Sequence, residues 1–160
     1  MSKLFGDVAP RYWAAGLPVI PLKPGQKIPA PNAWQAYAAM MPDETTREMW
    51  LDVYPDGNMG LPMGPQSGLV AIDLDSEDPK VQRVLDELLP PSPWTRVGKK
   101  GSIRVYKWTE EKTSRIKDSE NKTLVEILSR GTQIVMPPSI HPNTGKPLSE
   151  NFPLHPAAAA

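Results

Sequence analysis

Gly68-Leu69-Val70-Ala71-Ile72-Asp73-Leu74-Asp75 is the stretch on which the fold turns. It begins as an unbroken apolar run and becomes an alternation carrying acid at its end, the pattern of a buried strand that emerges at the rim of a sheet. Side chains alternate faces along a strand, so Asp73 and Asp75 point the same way, about 6.6–6.8 Å apart in rise. Two like charges on one face repel each other unless a cation stands between them. The pair therefore reads either as a divalent-metal site or as polar residues where a buried strand leaves toward a helix cap.

Reading downstream, Ser76 opens a helix from about Pro79 to Leu89, with Val81, Val84, Leu85, Leu88 and Leu89 as its apolar stripe and Pro90-Pro91 as its stop. Trp94 to Val97 and Ser102 to Trp108 are expected as strands around the turn Gly98-Lys99-Lys100-Gly101, a basic hairpin. Residues 109–122 are charged and loop-like. Leu124 to Leu128 and Thr132 to Met136 read as two further strands joined through Ser129-Arg130-Gly131.

Upstream, apolar residues at helical spacing run from Leu4 to Gly16, with Pro10 expected to split or kink that helix. Leu17 to Leu22 carries two prolines and suits an edge strand. A loop, Lys23 to Pro29, follows. Asp43 or Thr45 caps a helix through Tyr54, and Met59 to Met63 forms a short strand. The elements so read are helices interspersed with short strands.

The chain has 160 residues, the size of one domain. Its 20 prolines and 11 glycines predict short elements with stiff connections, below the share that marks disorder. There is no cysteine, which excludes disulfides, thiolate zinc sites, iron–sulfur clusters and a cysteine nucleophile. His141 and His155 are the only histidines, so a three-histidine metal site is excluded too. Any metal rests mainly on carboxylates, which favours Mg²⁺ or Mn²⁺. No apolar run reaches the roughly 18–20 residues of a membrane span, and Met1 to Asp7 lacks a signal peptide's apolar stretch, so a cytoplasmic protein with no membrane partner is expected.

Net charge is zero, yet its distribution is uneven. Residues 71–91 hold 2 basic and 6 acidic side chains, and residues 92–117 hold 8 basic and 2 acidic ones. Within the later strands, Glu126 sits among Leu124, Val125, Ile127 and Leu128. A carboxylate there is costly unless it is paired or metal-bound, or unless that position is the solvent face of the strand. Ser102 and Arg104 share a face beside Lys99 and Lys100, and a Gly-bracketed turn of this kind presents cations and backbone N–H groups to phosphate, or is a solvated charged hairpin. Gly98 to Ser102 and Gly145-Lys146-Pro147 fail the P-loop spacing, no Gly-x-Gly-x-x-Gly exists, and Ser139 with His141 lacks a nucleophile elbow.

Taken in order, Ile72-Asp73-Leu74-Asp75, Gly98 to Tyr106, Val125-Glu126 and Val135-Met136-Pro137-Pro138-Ser139-Ile140-His141 resemble the N-terminal primase–polymerase domain of the archaeo-eukaryotic primase superfamily. Gly16 to Leu22, then Gly25-Gln26-Lys27-Ile28-Pro29 and Trp34, are similar to that domain's opening. The resemblance covers roughly residues 9–147 and implies an α/β unit fused to an RRM-like antiparallel sheet. It implies that Asp73, Asp75 and Glu126 are catalytic and hold the metals. It also implies that Ser102, Arg104, Lys99, Lys100, Lys27 and His141 lie at the nucleotide or template. Arg104 stands where the family has a histidine that contacts the incoming triphosphate. An arginine can hold phosphate by its fork but cannot accept a hydrogen bond.

The activity so implied is replication-associated DNA primase and polymerase chemistry: template-directed nucleotidyl transfer on single-stranded DNA by a two-metal mechanism with Mg²⁺ or Mn²⁺. Its partners would be nucleoside triphosphates, the template and a helicase domain or protein. One alternative is a degenerate nucleotide- or single-strand-binding module, favoured by Arg104. Another is a metal-dependent nuclease or sugar-nucleotide transferase using Asp-x-Asp. The domain is expected over residues 1–148, with 149–160 as a tail or linker stub.

Overall fold

The structure, a computed structural model, describes residues 3–92, 94–97 and 101–150. In chain order its elements are α1 (Leu4–Ala14), β1 (Ile20–Leu22), a 3-10 turn (Trp34–Ala38), α2 (Glu44–Val53), β2 (Asn58–Pro62), β3 (Leu69–Leu74), α3 (Pro79–Leu88), β4 (Thr95–Val97), β5 (Ser102–Lys107), β6 (Ser114–Lys117), β7 (Thr123–Leu128), β8 (Gln133–Val135) and β9 (Ser149–Glu150). The strands form two antiparallel sheets, one in the order β1-β2-β8 and one in the order β6-β7-β3-β5-β4-β9. The result is a mixed α+β fold, the class that the resemblance implied.

Helix α1 buries Phe5, Ala9, Tyr12 and Trp13, which recur at three- and four-residue intervals. Pro10 lies on its exposed side and does not split it, because the buried stripe holds both halves against the core. Asp43 caps α2 by accepting the Thr46 amide at 2.8 Å. Asp78 does the same for α3 by accepting the Lys80 amide at 2.9 Å, with Pro79 entering the first turn.

The main core gathers α1, Trp50 of α2, β1, β2 and one face of the larger sheet, through Leu69, Ala71, Ile103 and Val105. The opposite face of that sheet carries Leu74 and Val125 against Leu85 of α3, with Ile72 and Val81 beside them. Of the expected α3 stripe only Leu85 is buried; Val84 and Leu88 are 52% and 74% exposed. Val81 and Leu89 pack partly buried against that cluster, while Val84 and Leu88 stay on the exposed side of this short helix.

One expectation is corrected. Residues 109–122, expected as loop, contain β6, an edge strand exposed at all four residues and held by backbone pairing to β7. Without a buried side there is no hydrophobic alternation to read. The strands around Ser129-Arg130-Gly131 do not pair with each other: β7 lies in the larger sheet and β8 in the smaller. Ser129 holds that crossing, accepting the Trp108 indole N–H at 3.0 Å and donating to the Glu111 carbonyl at 2.6 Å. Ser149 and Glu150 pair with β4. The rest of the expected tail, 151–160, lies outside the described residues.

Candidate active site

The register of the larger sheet settles which charged residues share a face. Asp73 on β3 is the direct partner of Glu126 on β7 and of Ile103 on β5. Glu126 is in turn opposite Arg115 on β6, and Ile103 is opposite Arg96 on β4. Arg115, Glu126, Asp73, Ile103 and Arg96 therefore form one row across five strands, all on the face that also carries the main core. Asp75 follows Asp73 by the strand period, and its amide donates to the Leu124 carbonyl at 2.9 Å, just beyond the end of β3.

The electrostatics of the row centre on Asp73. Burial raises its carboxyl pKa; Arg96 lowers it, Asp75 and Glu126 raise it, and Lys27 lowers it, for a net upward shift. Asp73 makes no direct ion pair with another described residue. Glu126 is bound by Arg115 Nε at 3.1 Å, a pair in which the arginine is largely exposed. Among the described residues no three acidic or histidine side chains stand close enough to form a ready-made metal cage. The structure thus brings the three acids to one face, with two basic side chains felt by the central one.

Arg104 is not part of that row. It is the direct partner of Ile72, whose side chain lies on the α3 face, and its guanidinium pairs with Asp86 of α3 at 2.5 Å. Ser102, two residues earlier, shares that opposite face. The resemblance placed both at the nucleotide; the pleat of β5 turns them away from Asp73. Lys99 and Lys100 lie outside the described residues. Gly101, the first described residue after them, has φ +67, and a Cβ added to it would come within 2.1 Å of the Leu74 carbonyl oxygen. Only glycine allows the backbone just before β5 to press against the end of the acid strand.

Lys27 belongs to the loop after β1 and is near enough to Asp73 to lower its pKa. The motif Pro137 to His141 is built into the fold by β2. Ser139 Oγ accepts the Met59 amide at 2.8 Å, and Asn58 brackets Ile140 through both ends of its amide, accepting the Ile140 N–H at 2.9 Å and donating to the Ile140 carbonyl at 2.9 Å. Tyr12 donates to the Pro137 carbonyl at 2.6 Å. His141 Nδ1 accepts the Asn143 amide at 3.1 Å, and the residue lines a groove with Val97, Lys146 and Leu148. Of the 5 tryptophans, Trp13, Trp50 and Trp94 are core residues.

Sequence reasoning missed Arg96. It was one charge in a basic block, yet two facts make it distinct: burial lowers its pKa, and its Nη1 reaches the Val135 carbonyl of the other sheet at 2.8 Å. The only local signal was its placement in a three-residue strand, and register, not spacing, put it in line with Asp73.

A central strand ending in paired acids, a third acid beside it and flanking cations make a carboxylate-centred site on an α+β frame. The chain matches the family described as bifunctional DNA primase/polymerase, N-terminal, over residues 9–159, and it belongs to that family. Membership carries a DNA primase and polymerase role in replication and implies nucleotidyltransferase-type activity. A comparison with curated proteins finds no match. Among the described residues no helix is long and apolar enough to cross a membrane.

Proposed function

We propose that this domain transfers nucleotides from nucleoside triphosphates onto a strand templated by single-stranded DNA, with Mg²⁺ or Mn²⁺ held by Asp73, Asp75 and Glu126. The observation that carries this reading is the convergence of like charge on Asp73, a partly buried carboxylate with Asp75 and Glu126 on its own face. The donors fit a hard divalent cation in kind, being carboxylate oxygens, and a cation among them offsets a repulsion that burial strengthens. They are not a closed cage, and Glu126 would exchange Arg115 for the ion.

When bound, such ions supply an activated 3′-hydroxyl and neutralise triphosphate charge. The chain's own residues provide the setting. The β3 and β7 backbones hold Asp73 and Glu126 in fixed register. Lys27 brings positive charge to the same face from a separate loop. Gly101 keeps the start of β5 against the end of the acid strand, and Lys99 and Lys100, directly before it in sequence, serve the phosphates. A helicase that exposes template is the partner this chemistry calls for, and the cytoplasm is its setting. Arg104 and Ser102, on the α3 face, have no part in it.

A second reading, a binding module without chemistry, is favoured by the Arg115–Glu126 pair, which occupies one of the acids. A primer-extension assay with Mg²⁺ or Mn²⁺ separates the two. Template-dependent lengthening that vanishes in Asp73→Ala supports the transferase. Nucleotide or DNA binding without products supports the module, and shortening of the labelled strand indicates a nuclease.

A further inference from the structure

Two cations flank Asp73, and both are tethered to the same strand, β8. Arg96 reaches from β4 across the crease between the sheets, its Nη1 donating to the Val135 carbonyl at 2.8 Å. β8 is the outer strand of the smaller sheet, so this carbonyl sits on an edge that no further strand satisfies. Two residues earlier, Gln133 donates from Nε2 to the Lys27 carbonyl at 3.1 Å. The Lys27 loop is pinned elsewhere as well: Asn58 donates to the Gln26 carbonyl at 3.0 Å, and the Lys23 amide to the Ile28 carbonyl at 2.8 Å.

Both anchors have a polar atom to spare. The buried side-chain atoms without a hydrogen-bond partner among the described residues are Arg96 Nε and Gln133 Oε1. The Gln133 side-chain amide approaches Gly60 so closely that an added Cβ there would clash with Oε1. Neither Arg96 nor Lys27 makes a direct ion pair with Asp73 among the described residues. The cations and the carboxylate are held apart by their tethers, as an anion bridged to metal requires, instead of collapsing onto one another.

We propose that Arg96 and Lys27 form a two-pronged anion site for the triphosphate beside Asp73, and that Gln133 is the positioning residue that sets it by holding the Lys27 loop. The inference rests on the function proposed above, since the anion is the nucleotide's. The two prongs differ in chemistry: Arg96 offers a planar fork that matches phosphate oxygens, and Lys27 a compact point charge on a flexible stem. The role that the resemblance gave to Arg104 thus passes to a residue from the neighbouring strand.

The test is equilibrium titration of the full chain with a fluorescent nucleoside triphosphate in Mg²⁺, without DNA. Arg96→Gln and Lys27→Ala should each weaken binding roughly tenfold or more, while Arg104→Gln should leave it unchanged. Gln133→Leu should weaken binding several-fold in the native background and add nothing in a Lys27→Ala background, because its effect runs through the lysine. A merely structural Gln133 would act equally in both backgrounds and overturn the assignment, as would unchanged binding in Arg96→Gln. Should Arg96→Gln fail to fold, Arg96→Lys keeps charge and loses the fork; native-like affinity there would remove Arg96 from the site. If the native chain binds no nucleotide, the function reading falls; if it binds and Gln133→Leu equals it, only this inference falls.

Discussion

Asp73 and Glu126 are direct cross-strand partners on β3 and β7, and their carboxylates lie on one face of the sheet. Opposed like charges destabilise a strand pair, so the arrangement costs stability in the absence of a compensating cation. Arg115 offsets part of that cost from β6.

The pH dependence of stability follows from the sign of the Asp73 shift. Its carboxyl pKa in the fold lies above the ordinary 3.8, so the folded state holds its proton longer than the unfolded state. The contribution of this group to stability is therefore greatest below 3.8 and declines as pH rises from 3.8 to the higher folded value. Asp73→Asn should raise the melting temperature at neutral pH by a few degrees while abolishing primer extension. Thermal melts of the two proteins across the acid range check both the direction and the window.

Divalent ions should reverse that cost. Mn²⁺ is expected to raise the melting temperature of the native chain and to leave Asp73→Asn unmoved, because a ligand that binds only the folded state stabilises it by mass action. An equal shift in both proteins would place the ion elsewhere.

Removing Arg115 frees Glu126. Arg115→Ala is expected to cost about 0.2–1 kcal/mol of stability, as for other largely exposed pairs, and to tighten Mn²⁺ binding measured by calorimetry. Weaker Mn²⁺ binding would mean that Glu126 takes no part in holding the ion.

Arg104 is assigned a structural role. It ties β5 to α3 through Asp86, and Tyr106 adds a second tie by donating to the Pro90 carbonyl at 2.9 Å. With Asp86 largely exposed, Arg104→Gln should cost about 0.2–1 kcal/mol in chemical denaturation. Asp86→Asn should cost about the same, and the double variant little more than either.

Gly101→Ala should be disproportionately harmful for a one-carbon change. The new Cβ would meet the Leu74 carbonyl oxygen in a backbone held at φ +67. Strain of this kind costs on the order of 1–3 kcal/mol, and relief by shifting the backbone at Gly101 would move the start of β5 off the acid strand. Loss of both melting temperature and nucleotide affinity is the expected result.

Much of this was legible in the chain itself. The alternation at the end of Leu69–Leu74 located the strand and placed Asp73 and Asp75 on one face; the Pro79 start and the apolar spacing located α3 to within a residue. Glu126 stood out because it interrupts an apolar run. These signals are local, since strand and helix periods act over a few residues. β6 was invisible for the complementary reason: it is held by backbone pairing, and its side chains carry no burial pattern.

The amino-acid order by itself determined the segments whose side chains alternate between core and solvent, such as β3 and α3, which acids share a strand face, and that any metal must rest mainly on carboxylates. Only the tertiary structure decided that β7 and β8 belong to different sheets, that Arg96 instead of Arg104 stands in line with Asp73, and that β8 tethers both flanking cations. The reason is that a strand's alternation says which side chains agree with one another but not which neighbour they meet. Register between distant strands is set by packing of the whole core, and a slip of one residue exchanges the faces.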